Sequence, residues 1–186
     1  MKAHFSSKFT ALLILLIGAL GVTGCAADSD AQQLYRVGLL SGVEVFATTQ
    51  EGFKAEMTEL GYVEGENIVY DLQSAGGDPQ KMEEISRKFV ADGVDLIVST
   101  TNAGALAAKA AGAEAGVPVV FTIVLAPVET GAVENLRQPG GNITGVRNPL
   151  EDFVGKRVDF LLQMDPTVQR IWVPYDPKYI TVETVL

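Results

Sequence analysis

The chain has 186 residues, 47% of them hydrophobic, and carries a formal net charge of −9 at pH 7. That length suits one domain or one and a fraction, and the acidic balance argues against nucleic acid as a partner. The single histidine, His4, and the single cysteine, Cys25, both stand near the N-terminus, so the body of the chain lacks the material for Ser-His or Cys-His nucleophiles, for the usual zinc ligand sets and for a disulfide.

Lys2 and Lys8 give a basic start, and residues 9–21 form an apolar run without charge. This pattern predicts a secretory signal over residues 1–24, because a membrane span needs about 20 apolar residues. Val22-Thr23-Gly24-Cys25 resembles the bacterial lipobox, whose cysteine is lipidated and becomes the first residue of the mature protein. The alternative is a signal peptide that has a cysteine near its end by chance. On the lipobox reading, Cys25 carries acyl chains that tether the protein to a membrane outside the cytoplasm. Residues 25–33, small and polar, would be the spacer. His4 leaves with the signal, Cys25 is consumed by lipid, and neither metal nor cofactor is expected.

The folded part opens with a strand over residues 35–40. Ser41 and Gly42 end it, and Ser41 either faces a ligand or caps the next turn. Phe53, Met57 and Leu60 recur at three- and four-residue spacing, which predicts an amphipathic helix over 50–60 closed by Gly61. A second strand covers 67–72. Asp78-Pro79 then reads as an N-cap with proline at the first helical position of a helix over 78–92, whose buried stripe is Met82, Ile85, Phe89 and Val90.

A third strand over 94–98 and a fourth over 117–124 are β-branched runs without polar alternation, as in a parallel sheet covered on both faces. Between them an alanine-rich segment, 102–114, has helix length, so the unit is a βαβ crossover. Thr101 or Asn102 should cap that helix and Gly116 should end it. Its small residues serve close packing on the sheet or close approach of a ligand to the backbone. In open α/β sheets ligands bind beyond the carboxyl ends of the strands, which singles out Ser99, Thr100, Thr101 and Asn102 after strand three. Val124, Leu125, Ala126 and Pro127 follow strand four. A short helix is expected over 127–136, a tight turn at 139–142 and a fifth strand over 143–146. A helix over 151–164 and a strand over 171–175 would begin a second sheet.

Several runs in this order resemble the substrate-binding lipoproteins of a bacterial ABC-transporter family that includes receptors for tryptophan and other aromatic amino acids. They are Gly61-Tyr62-Val63-Glu64-Gly65 with Asn67-Ile68, Ala75-Gly76-Gly77-Asp78, Val94-Asp95-Leu96-Ile97-Val98 and Val117-Pro118-Val119-Val120-Phe121. The most specific is Pro139-Gly140-Gly141-Asn142-Ile143-Thr144-Gly145-Val146, with Arg137 two residues before it and Pro127-Val128 upstream. The resemblance implies a type I periplasmic-binding-protein fold, in which two α/β lobes close on a small-molecule ligand and dock on a membrane permease. It also implies that the ligand loops of lobe one are Ser41-Gly42, Ser99 to Asn102, and Val124 to Pro127. Residues 34–147 would be a parallel-sheet, three-layer αβα ligand-binding lobe, and 148–186 a crossover helix and an incomplete second lobe. Two departures stand out: Ala126 replaces the acidic residue usual before the Pro-Val motif, and the chain is expected to be truncated in lobe two, with weak ligand affinity.

An enzyme on the same scaffold is the first rival reading. The chain shows no Gly-x-Gly-x-x-Gly run, no phosphate loop at Gly155-Lys156 and no Gly-x-Ser-x-Gly elbow, so no catalytic residue is assigned. A ligand-binding sensor module of the same fold, or a truncated receptor with little binding activity, are the others.

Overall fold

A computed structural model describes residues 33–149 and 153–177. The expected signal segment, Cys25 and all of the spacer but Gln33 lie outside the described residues, as does 178–186 of the expected second lobe. In chain order the elements are β1 (Tyr35–Ser41), a 3-10 turn (Glu44–Phe46), α1 (Ala47–Glu59), β2 (Ile68–Ser74), α2 (Pro79–Ala91) and β3 (Leu96–Thr100), followed by α3 (Asn102–Ala115), β4 (Val119–Val124), β5 (Ile143–Arg147) and α4 (Val154–Met164).

The five strands form one parallel sheet in the order β2-β1-β3-β4-β5. Progression runs one way from β1 to β2 and the other way from β3 onward. Since parallel crossovers are right-handed, that reversal puts α1 on one face of the sheet and α2 and α3 on the other. The packing follows the pleat. Val37, Leu39, Ile68 and Val98 meet Phe53 and Met57 of α1, whereas Leu40, Ile97, Val119 and Phe121 meet Met82, Ile85, Phe89, Ala105 and Ala108 of α2 and α3. This is the three-layer αβα sheet expected from the β-branched runs.

Local chemistry explains the element ends. Asp78 accepts from Gln80 N at 2.9 Å and Lys81 N at 3.4 Å, with Pro79 at the first helical position, satisfying donors that the helix leaves over. Gly116 takes a left-handed φ of 70° and closes α3. Gly38 has no side chain because Phe89 lies against it; a Cβ there would meet Phe89 Cδ2 at 2.6 Å. Asn142 donates through Nδ2 to Val117 O at 2.9 Å and ties the 139–142 turn to the segment leading into β4.

Two expected elements are absent. Residues 127–136 are turns and bends, not a helix. Thr130 N reaches Ala126 O at 3.0 Å, but Gly131 then takes a φ of 75° and the turn does not propagate. Residues 171–175 are irregular rather than a strand, since no neighbouring strand among the described residues offers its N–H and C=O groups a ladder. The helix over 151–164 is present from Val154, and Phe153, Phe160, Leu161, Leu162 and Met164 on and beside it are exposed.

Candidate functional site

The carboxyl ends of β1, β3 and β4 bring together the residues singled out in the sequence. Ser41, Ser99, Thr100, Asn102, Val124 and Ala126 are buried, as is Gly42, and Thr101 is half-buried. Their side chains are mostly engaged with the protein itself. Ser41 Oγ donates to Val43 O at 2.8 Å, so it shapes the turn after β1. Thr100 Oγ1 accepts from Gly42 N at 2.9 Å and clamps the β1 loop to β3. Ser99 Oγ lies under α3, 2.7 Å from where a Cβ on Gly104 would stand. The glycine in the first turn of α3 therefore serves close packing.

Thr101 is the N-cap of α3 and accepts from Gly104 N at 3.2 Å. Its backbone, at φ 70° and ψ 158°, lies in a region that is nearly glycine-only and costs about 1–3 kcal/mol. Gly42 lies close against it: a Cβ at Gly42 would clash with Thr101 Oγ1. A second such residue stands one strand over, where Ile123 has φ 54° at a register break between Phe121 and Val124. Strained backbone tends to persist where a site is pre-organised, and both positions fall at the same end of the sheet.

Asn102 joins the two strained loops. Its Oδ1 accepts from Leu125 N at 2.9 Å, while its Nδ2 has no hydrogen-bond partner among the described residues although Asn102 is only 2% exposed. It opens a 14-residue helix whose first N–H groups and positive dipole end favour an anion. Thr101, Asn102 and Ala103, with Val43 and Phe46 across from them, line the upper end of a groove of about 1110 Å³. The rest of that groove runs down between α2 and α3 past Met82, Leu106 and Ala107, away from the strand tips. Glu83, Arg87, Glu114 and Asp176 also line the groove, and of the residues expected at the site only Thr101 and Asn102 do so, at the end where the N-terminus of α3 meets it.

None of the residues expected at the site, Ser41-Gly42, Ser99 to Asn102 and Val124 to Pro127, is a carboxylate, an amine or an imidazole. The groups with shifted proton affinity lie elsewhere. Lys54 is held above its ordinary value by its hydrogen bond to Glu64, and burial raises the Tyr70 phenol. Both sit where α1 packs on β2. Lys88 is raised by Asp92, and Asp165 is lowered by its hydrogen bonds from Thr167. No group of three or more His, Cys, Asp or Glu among the described residues could hold a metal ion.

Sequence reasoning missed one polar residue at this end. Gln50, in the first turn of α1, is 1% exposed, and neither its Oε1 nor its Nε2 has a partner among the described residues. The signal was available: Gln50, Phe53 and Met57 are at helical spacing on the stripe that meets the sheet. Thr122 Oγ1 on β4 is buried and unpartnered as well.

Residues 40–186 match the family model described as ABC transporter substrate binding protein. A tyrosine-binding protein of Clostridioides difficile (strain R20291) is 30% identical over 91% of this chain and 52% of its own length. Among solved structures, a conserved domain protein from Vibrio cholerae is 30% identical with a TM-score of 0.73, covering 82% of this chain and 51% of that one. A ligand-free, open structure of a substrate binding protein with adhesive properties from Clostridium difficile is 31% identical, with a TM-score of 0.63, over 72% of this chain and 45% of that one. A Streptococcus pneumonia domain in complex with L-Trp is 28% identical, with a TM-score of 0.59, over 66% of this chain and 42% of that one. The chain thus spans about half the length of the relatives it matches.

Proposed function

The chain belongs to the ABC transporter substrate-binding protein family, and from that premise we propose that it captures a small solute of the amino-acid class at the carboxyl ends of its strands, without catalysis, as the extracytoplasmic receptor of an importer. The observation that carries this reading is the mouth of α3. Thr101 and Asn102 line one groove at the N-terminus of α3, Thr101 is strained and Asn102 Nδ2 is buried and unpartnered among the described residues, and a carboxylate is the group that completes such a set. Val124, Ala126 and Pro127 are buried at the end of β4, on either side of the Leu125 N–H that Asn102 accepts, and offer an apolar neighbourhood for the less polar part of a solute. Relatives named for tyrosine or holding L-Trp support the amino-acid class.

In this account Ser41, Gly42, Ser99 and Thr100 act through the backbone. Their bonds fix the loops whose N–H groups meet the solute, while Thr101, Asn102, Val124 and Ala126 border it. A membrane permease receives the loaded receptor, and lipid on Cys25 holds it at the membrane. The strand tips of the described residues form one wall of the solute site.

Calorimetric titration with L-tyrosine, L-tryptophan and L-leucine tests the proposal, with tyrosinol, which lacks the carboxylate, as control. Saturable binding of at least one amino acid, with tyrosinol about tenfold weaker or worse, is expected. Equal binding of tyrosine and tyrosinol would remove the carboxylate from the mouth of α3. Labelling cells with a fatty-acid analogue checks the anchor separately: label should enter the wild-type chain and be lost in Cys25→Ser.

A further inference from the structure

The face on which each strand-tip side chain lies follows from the core. On β1, Val37 and Leu39 belong to the cluster under α1 and Leu40 to the cluster under α2 and α3, so Ser41 faces α1. By the same alternation Thr100 shares a face with Val98, and Thr122 lies opposite in orientation to Phe121. Leu40 is paired with Ser99, and Thr100 with Thr122. Ser41, Thr100 and Thr122 therefore form one row of hydroxyls across three adjacent strands, on the α1 side, at the carboxyl edge. Gln50 sits on the sheet-facing stripe of α1, in the turn nearest that edge.

Two buried amides thus bracket the point where the strand order reverses, which is where ligands settle in sheets of this kind. Asn102 approaches from the α3 face and Gln50 from the α1 face. Gln50 is the more exceptional. A buried amide with neither donor nor acceptor paired costs stability that an apolar side chain of the same shape would not. On the stripe with Phe53 and Met57, a methionine would fill the place at no such cost.

We propose that Gln50 is a specificity-determining residue of the solute site, its side-chain amide pairing with a neutral polar group, a hydroxyl or a carboxamide, at the end of the solute away from its carboxylate. This rests on the solute-binding reading above and names the solute class more narrowly. An amide offers both a donor and an acceptor, and a hydroxyl or carboxamide satisfies both. A purely aliphatic or aromatic end satisfies neither and leaves the buried amide unpaired, which is how a site rejects an analogue that lacks the polar group. Gln50 does not line the groove, and residues 43–46 precede α1 there, with Val43 and Phe46 in the groove lining and Glu44 and Val45 exposed, so a solute reaches the amide by displacing this turn.

The test compares two pairs of amino acids that differ in the distal polar group, L-tyrosine with L-phenylalanine and L-glutamine with L-methionine, on the full chain and on Gln50→Met. In the wild type at least one pair should bind with its polar member about tenfold or more tighter. In Gln50→Met the ratio should fall to about one, while the thermal midpoint stays level or rises, as expected when an unpaired amide leaves a core. Gln50→Leu repeats the measurement should the methionine variant not fold. Equal affinities within each pair for the wild type, or a ratio that survives in the variant, would overturn the role of Gln50 and leave solute binding intact. If no probe binds the wild type, the solute-binding reading itself fails and takes this one with it.

Discussion

Thr101 shows how one residue holds two jobs in tension. Its hydroxyl caps α3 through Gly104 N, yet its backbone at φ 70° and ψ 158° suits glycine. Thr101→Gly relieves about 1–3 kcal/mol of strain. Against this stand about 0.4–1 kcal/mol of added freedom in the unfolded chain and a few tenths for exchanging the cap. The balance favours glycine by about 1 kcal/mol, readable as a higher denaturant midpoint. Thr101→Ala keeps the strain and loses the cap, so it should lower the midpoint. A threonine retained at net cost is consistent with a loop shaped for a ligand. Of this the sequence disclosed the place but not the geometry: Ser99 to Asn102 stood out as hydroxyl-rich at a strand end, whereas a positive φ at a threonine has no signature in residue type. Gln50 is legible only from its spacing with Phe53 and Met57, since a glutamine early in a helix is ordinarily solvated.

At the scale of elements, periodicity and caps carried most of the reading. Asp78-Pro79, Gly61 and Gly116 mark helix ends where the structure has them, and the β-branched runs over 94–98 and 117–124 became β3 and β4. The failures share a cause. Residues 127–136 and 171–175 had local patterns but lacked what completes an element: a chain direction that continues past Gly131, or a neighbouring strand. The contact of α1 with β2 gives a prediction in pH. Lys54 bonds Glu64 at 2.9 Å and its ammonium lies 5.2 Å from the Tyr70 ring centroid. Both Lys54 and Tyr70 titrate above their ordinary values, 10.5 and 10.0, in the folded chain. For each, the folded state holds its proton more tightly than the unfolded one. The associated stability is therefore fully present below about pH 10 and is lost as pH rises through the folded values. Thermal midpoints from pH 8 to 12 should fall above pH 10 more steeply for the wild type than for Lys54→Met with Tyr70→Phe. Parallel curves would show that the pair adds nothing.

For the molecule as a whole, the described residues combine a sheet with two covered faces and a C-terminal stretch rich in exposed apolar side chains. Phe153, Phe160, Met164, Ile171 and Val173 are exposed there, an amount of apolar surface that ordinarily marks a contact. Trp172 is the only tryptophan and is 86% exposed, so it reports on this stretch alone. Its fluorescence should be red-shifted and quenched by acrylamide nearly as well as free tryptophan. A blue-shifted, protected emission would place it in a packed interface. The family match covers residues 40–186 and so both parts, but the runs from which it could be read all lie between Gly61 and Val146, so the missing strand at 171–175 did not affect it.

The claim that matters most is that solute binds across the tips of β1, β3 and β4. Amide chemical shifts of the isotopically labelled chain, followed by NMR during titration with the amino acid that binds best in calorimetry, test it most directly. The account predicts that the largest shifts fall on Gly42 to Phe46, Gln50, Thr100 to Gly104 and Leu125 to Ala126. Shifts confined to the lower groove, around Met82, Leu106, Ala107 and Ala111, would contradict it.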